Sequence, residues 1–102
     1  MKNKTQAEKD YHSVVAKIGC VVCDAPAAIH HPRFCAGTSQ RSPHFLAIAL
    51  CPEHHQGSFS IHFDRRQFEA VYGDEEYLLS LTIERVFKLL NYGLYSSGRL
   101  DG

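Results

Sequence analysis

Cys20-Val-Val-Cys23 and Cys51-Pro-Glu-His54 are two pairs of soft metal-binding side chains at the same spacing. Two such pairs can enclose one tetrahedral zinc. A site closed by four protein ligands is structural and not catalytic. Six of the seven histidines lie between Cys20 and His62. With His54 assigned to the zinc, His30, His31, His44, His55 and His62 remain. Neutral imidazole is a common ligand for divalent transition ions. A second metal site beside the zinc is therefore expected, with His30 and His55 as ligands and His62 closing the set. Neighbouring residues on a strand point to opposite faces, so His30 can ligate while His31 addresses a water. The competing reading makes these histidines ordinary surface polar groups.

The elements that must carry these side chains follow from periodicity and punctuation. Thr5 to Ile18 reads as a helix, with Thr5 and Glu8 forming a capping box. Ala7, Tyr11, Val14, Val15 and Ile18 form its apolar stripe, and His12 falls off it as an exposed residue. Gly19 is placed to stop the helix. Cys20 to Ala25 is then a tight zinc knuckle. A short strand is expected from about Ala27 to His31, limited by Pro32. Arg33 to Ser42 has loop composition. Phe45 to Leu50 reads as the second strand of a hairpin. Pro52 suits the first turn of a short helix carrying His54 and His55. An irregular connection ends at His62. Asp64 with Gln67 starts another helix, with Phe68, Val71 and Tyr72 as its buried face and Gly73 as its end. Asp74 starts the last helix, with Glu75 and Glu76 favourably placed in its first turn. Its expected core face is Leu78, Leu81, Val86, Leu89 and Leu90, and Gly93 stops it. The tail from Leu94 should fray.

With 102 residues, one domain and one small core are expected. A core of this size gains from a zinc staple. Met1 to Asp10 is polar, so no signal peptide is expected. No apolar run is long enough for a membrane helix, and a cytoplasmic location follows. Reduced thiols favour ligation over disulfides there. Cys35 reads as a half-buried free thiol. Net charge is zero, which argues against a strongly basic nucleic-acid binder. Residues 1–45 nonetheless hold six Lys/Arg against three Asp/Glu, while residues 64–102 hold five against seven. A phosphate-facing surface would draw on the first half together with Arg65 and Arg66. Arg33 joins them if the first strand continues past Pro32.

Taken together, Ile29-His30-His31, Leu50-Cys51-x-x-His54-His55-Gln56-Gly57 and Ile61-His62 resemble an HNH endonuclease of the ββα-metal class. Phe68-Glu69-Ala70-x-Tyr72-Gly73 with Leu78-Leu79 brings the resemblance closest to the phage recombination-enhancement nucleases, whose activity depends on RecA. The resemblance runs from about Cys20 to Leu79. It implies one catalytic divalent ion, Mg²⁺ or Mn²⁺, on His30, His55 and His62, with His31 as general base. His44 falls near the position where the family commonly has an asparagine that orients the base. Lys2, Lys4, Lys9 and Lys17 are a thin counterpart to the basic N-terminal extension of longer relatives. Weak DNA affinity alone, and delivery by a RecA filament in a phage or prophage setting, are implied.

The expected architecture is α+β: a zinc-stapled hairpin and short helix at about residues 20–63, flanked by a helix at 5–18 and helices at 64–92. The expected activity is metal-dependent hydrolysis of DNA. The alternative is a zinc-stapled DNA-binding or recombination-accessory module without catalysis. Histidines that titrate near 6.5 would make activity rise from about pH 6 towards pH 8.

Overall fold

The computed structural model describes residues 3–33 and 43–92. The expectations for Cys35, the loop around it, the Gly93 stop and the tail concern residues outside these ranges. The described chain is α+β, in the order α1 (Gln6–Ile18), β1 (Ala28–His30), β2 (Ile48–Leu50), α2 (Pro52–Gln56), α3 (Arg65–Tyr72) and α4 (Glu75–Tyr92).

β1 and β2 pair antiparallel, with Ala28 opposite Leu50 and His30 opposite Ile48. β2 is buried along its whole length. Its central residue turns both backbone groups away from β1. The Ala49 N–H donates to Thr82 Oγ1 on α4, and its carbonyl accepts from Val21 N–H. The second edge of β2 is thus covered by the knuckle on one side and by α4, which satisfies the free strand edge. This arrangement also sets the knuckle beside Cys51, the residue that follows β2.

Both strands are shorter than the sequence implies. Pro32 lacks a ladder donor, and the pairing ends at His30. Phe45 to Ala47 is not paired, because the Leu46 N–H closes a turn onto the Pro43 carbonyl at 3.1 Å.

α1 begins with the expected capping box: Thr5 Oγ1 accepts from Glu8 N–H, and Glu8 Oε1 accepts from Thr5 N–H. Its buried face differs from expectation. His12 is 6% exposed and buried with Val15 and Ile18, whereas Ala7 is exposed. The helix is rotated about its axis so that His12, Val15 and Ile18, three residues apart, face inward. The imidazole is tolerated there because it is hydrogen-bonded to the His44 carbonyl and to Lys4 Nζ.

Gly19 has φ +86°, and a Cβ there would lie 3.1 Å from the Asp24 carbonyl oxygen. That position therefore needs glycine. The Cys20–Ala25 turn closes through Cys20 N–H to the Ala25 carbonyl and Asp24 N–H to the Cys20 carbonyl, both at 2.8 Å. Arg85 of α4 reaches across to the Cys20 carbonyl and to Asp24 Oδ1, clamping the knuckle.

Asp64 caps α3 through Gln67 N–H. Phe68 is its buried residue and Tyr72 is half-buried, but Val71 is exposed because the face follows the i, i+4 row. In α4, Leu78, Leu79, Thr82 and Val86 are buried along with Glu75. Leu81 and Leu89 flank that stripe, and Leu90, 65% exposed, lies outside it. The stripe runs through a threonine and a glutamate, which an apolar count passes over.

Candidate metal centres

Two pairs of adjacent histidines feed three separate clusters. On α2, His54 and His55 are successive residues, about 100° apart around a helix. His54 joins Cys20, Cys23 and Cys51, while His55 joins His30 and His62. At the end of β1, His30 and His31 point to opposite sides. His30 enters the second cluster, and His31 enters a third with His12 and His44. In each cluster the ligand-capable atoms all lie within 4.8 Å of one another.

The first cluster can hold a structural metal ion. A tetrahedral ion with sulfur at about 2.3 Å and nitrogen at about 2.0 Å sets its ligand atoms roughly 3.5–3.8 Å apart. Cys23 Sγ and Cys51 Sγ are 3.6 Å apart, Cys51 Sγ and His54 Nδ1 3.2 Å, and Cys20 Sγ and His54 Nδ1 4.0 Å. These spacings bracket the tetrahedral edge. Tyr72 Oη lies 3.4 Å from His54 Nε2 and can accept its hydrogen, which fixes Nδ1 as the ligand atom.

The thiols are not equivalent. Burial alone would raise Cys51, but the backbone N–H groups of His54 and Glu53 and the neighbouring thiols hold it below the ordinary thiol range. The Ala25 N–H lowers Cys23, yet burial and the Cys51 and Cys20 thiols push it up to about 11. Cys51, at the start of α2, is therefore more readily offered as thiolate than Cys23.

The second cluster is open. His30 is buried, His55 half-buried and His62 exposed. The turn after α2 folds back through Ile61 N–H to the His54 carbonyl and His62 N–H to the His55 carbonyl. This brings His62 Nε2 to 3.1 Å from His55 Nε2. The His30 ring lies 5.0 Å from His55 and 5.2 Å from His62, centroid to centroid. Three nitrogens on one open face leave room for further ligands on a bound ion.

His30 has a partner that sequence reasoning missed. Its Nε2–H donates to Glu75 Oε2 at 2.6 Å, and Glu75 is 4% exposed. The carboxylate also accepts from Arg33 backbone N–H at 2.8 Å and Arg65 Nη2 at 3.3 Å. Burial would raise Glu75, but these three donors outweigh it and lower it to about 2. A carboxylate on the far nitrogen of a ligating histidine orients the ring and raises its basicity. The sequence signal was an acidic residue in a helix first turn, where a dipole role suffices to explain it.

The arginines are placed less simply than the sequence suggests. Arg33 and Arg65 line a cleft of about 400 Å³ whose other walls are Glu69, Asp74, Glu75 and Glu76. Arg65 is tied to Glu69 and Glu75. Arg33 follows the end of β1, so its position is set by its backbone bond to Glu75 and not by a continuing strand. The Arg33 and Arg66 side chains are exposed.

Burial, followed by the neighbouring imidazoles of His30 and His62, lowers His55 to about 4. Burial also lowers His62, assisted by His30, Arg65 and Arg33, and it lowers His31, assisted by His12 and His44. Each of these groups therefore stays neutral to lower pH than a free imidazole, His55 down to about 4. An activity that needs them neutral would begin to rise at lower pH than the ordinary value of about 6.5 implies.

A stability prediction follows for the chain with its four-ligand ion bound and the open cluster empty. Between pH 6.5 and about 4 the unfolded chain takes up a proton on His55 that the folded chain refuses. Stability should therefore fall as pH drops through that window, and should be insensitive to His55 above it. The urea midpoint should be lower at pH 5 than at pH 7. Equal midpoints in the wild type would contradict this assignment.

The described chain is thus an α+β protein with one four-ligand Cys/His cluster and two three-histidine clusters. A sequence-family model described as a protein of unknown function (DUF968) matches residues 1–89, and the chain belongs to that family. No curated protein and no solved structure matches it.

Proposed function

We propose that this protein is a metal-dependent DNA endonuclease of the HNH, ββα-metal type, with zinc in its four-ligand site. The observation that carries the reading is the convergence of His30, His55 and His62 on one open cluster, with His31 at the same strand end on the other side. The end of β1 supplies His30 and His31, α2 supplies His55 and the turn after α2 supplies His62, in the order that the HNH resemblance implies. Burial and the neighbouring imidazoles favour the neutral form of His31, the form that a proton acceptor needs.

The catalytic ion, when bound, supplies Lewis-acid stabilisation of charge on the phosphate and the leaving oxygen. His30, His55 and His62 would hold it, and Glu75 would fix the His30 ring. His31 takes the proton from the attacking water. Arg33 and Arg66 are available to phosphate oxygens, whereas Arg65 already serves Glu69 and Glu75. An all-imidazole donor set suits a transition ion better than Mg²⁺, so Mn²⁺ is expected to support cleavage more strongly. Net charge of zero is consistent with delivery to DNA by a partner, such as a RecA filament in a phage setting.

The test is nicking of supercoiled plasmid and single-stranded DNA with Mn²⁺ or Mg²⁺, with and without RecA–ATP filaments. His31→Ala should lower the cleavage rate by roughly a hundred- to ten-thousandfold. Its melting temperature and its complement of tightly bound zinc should match the wild type. Wild-type cleavage by His31→Ala would remove this base assignment. A native protein that binds DNA and cleaves nothing under any of these conditions would instead be an accessory module.

A further inference from the structure

His12, His31 and His44 come from α1, the end of β1 and the segment before β2. Each offers one nitrogen, and these nitrogens lie within 4.8 Å of one another. The rings pack edge to face, with centroids 5.4 Å apart for His12–His31 and His31–His44, and 5.9 Å for His12–His44. His31 Nε2 and His44 Nδ1 are buried and have no hydrogen-bond partner among the described residues. Buried polar atoms are nearly always paired, so two orphans in one histidine cluster require a missing partner. Three imidazoles are a donor set suited to a borderline transition ion.

We propose that His12, His31 and His44 form a third metal site, one for a transition ion, and that an ion such as Zn²⁺ bound there inhibits cleavage. The inhibition rests on the proposed role of His31, whereas the binding site does not. A neutral imidazole that ligates through one nitrogen carries its proton on the other. His31 held in this way has no lone pair for the attacking water. The ion at His30, His55 and His62 and the ion at this site would then have opposite effects from opposite sides of one strand end.

The site has a built-in competitor. Lys4 Nζ lies 3.3 Å from His12 Nδ1, while His12 Nε2–H serves the His44 carbonyl. His12 Nδ1 is therefore the atom free to ligate, once Lys4 swings away. Lys4 is exposed, so its displacement is easy. Removing its ammonium should tighten the site, because it both occupies the nitrogen and repels a cation.

The decisive experiment is a Zn²⁺ titration by calorimetry, with bound ion counted by elemental analysis. It uses the full chain purified with its four-ligand site filled. Wild type should take up two further equivalents, His55→Ala one, and His12→Gln one. Lys4→Ala should lower one dissociation constant by about three- to tenfold. His12→Gln is chosen because the amide can still donate to the His44 carbonyl, and His44→Asn serves as a second variant if that one misfolds. Wild-type stoichiometry in both variants would overturn the site and leave a bound water as the partner of the orphan nitrogens.

Cleavage supported by Mn²⁺ is then measured with added Zn²⁺. Wild type should lose activity as the site fills, and His12→Gln should resist. A variant that loses the equivalent yet stays equally sensitive would overturn the inhibitory role. If no cleavage occurs under any condition, the nuclease reading fails, and with it the inhibition. The ion count still decides the site.

Discussion

Cys23→Ser should lose the ion at the four-ligand site and, with it, cooperative folding of the hairpin. Cys23 is the informative position because it is exposed, unlike Cys20 and Cys51. Replacing its sulfur by oxygen removes a ligand and disturbs no core packing. Structural zinc contributes an apparent 10–16 kcal/mol or so at neutral pH, whereas small domains are stable by about 5–15 kcal/mol. The ligation energy is thus of the same order as the whole stability. Elemental analysis should find the tight equivalent gone, and the thermal transition should broaden or vanish. A Cys23→Ser protein that keeps the wild-type transition would show that the cluster does not carry the fold.

The geometry explains why so much should hang on one ligand. The knuckle, β2, α2 and α4 meet at this cluster. Val21 bonds to the central residue of β2, Cys51 begins α2, and Arg85 holds the Cys20 carbonyl. Loss of the ion frees the knuckle, which in turn uncovers the edge of β2. Phe68 and Tyr72 of α3 pack against the His54 ring, so α3 also loses its seat.

What the sequence revealed depended on the range of the interaction that decided it. The Cys20/Cys23 and Cys51/His54 pairs could be read because each is set by a single turn of backbone. The divergence of His30 from His31, and of His54 from His55, could be read because strand and helix fix where neighbours point. His12 could not be read this way. Its burial depends on a partner 32 residues away, the His44 carbonyl, and on how α1 is rotated against the strands. The hydrophobic stripe allowed a rotation that buried Ala7, and only packing against the sheet selected another. Strand lengths failed for a similar reason, because an apolar run from Phe45 does not reveal that a turn at Pro43 withdraws its first residues from pairing. Glu75 was hidden more completely. Local rules account for an acid at a helix start, so nothing in the sequence called for a second role.

Glu75→Gln should separate that second role from packing. The amide keeps the volume and can still accept the Arg33 backbone N–H, but it removes the charge that His30 and Arg65 face. Leaving a buried donor without its acceptor costs about 1–3 kcal/mol, and the glutamine should fall within that range because its oxygen remains. The effect on the open cluster should be separate from this loss. Without the carboxylate, the His30 ring is less firmly oriented and less basic, which for such partners weakens metal binding by about 10–100-fold. The variant should therefore keep its four-ligand ion and remain folded at low temperature, yet need far more Mn²⁺ to saturate the His30–His55–His62 cluster. Glu75→Ala should lose more stability, since it also leaves the Arg33 N–H without its acceptor. A Glu75→Gln protein that is destabilised but binds Mn²⁺ with wild-type affinity would make Glu75 a structural anchor for α4 and remove it from the metal site.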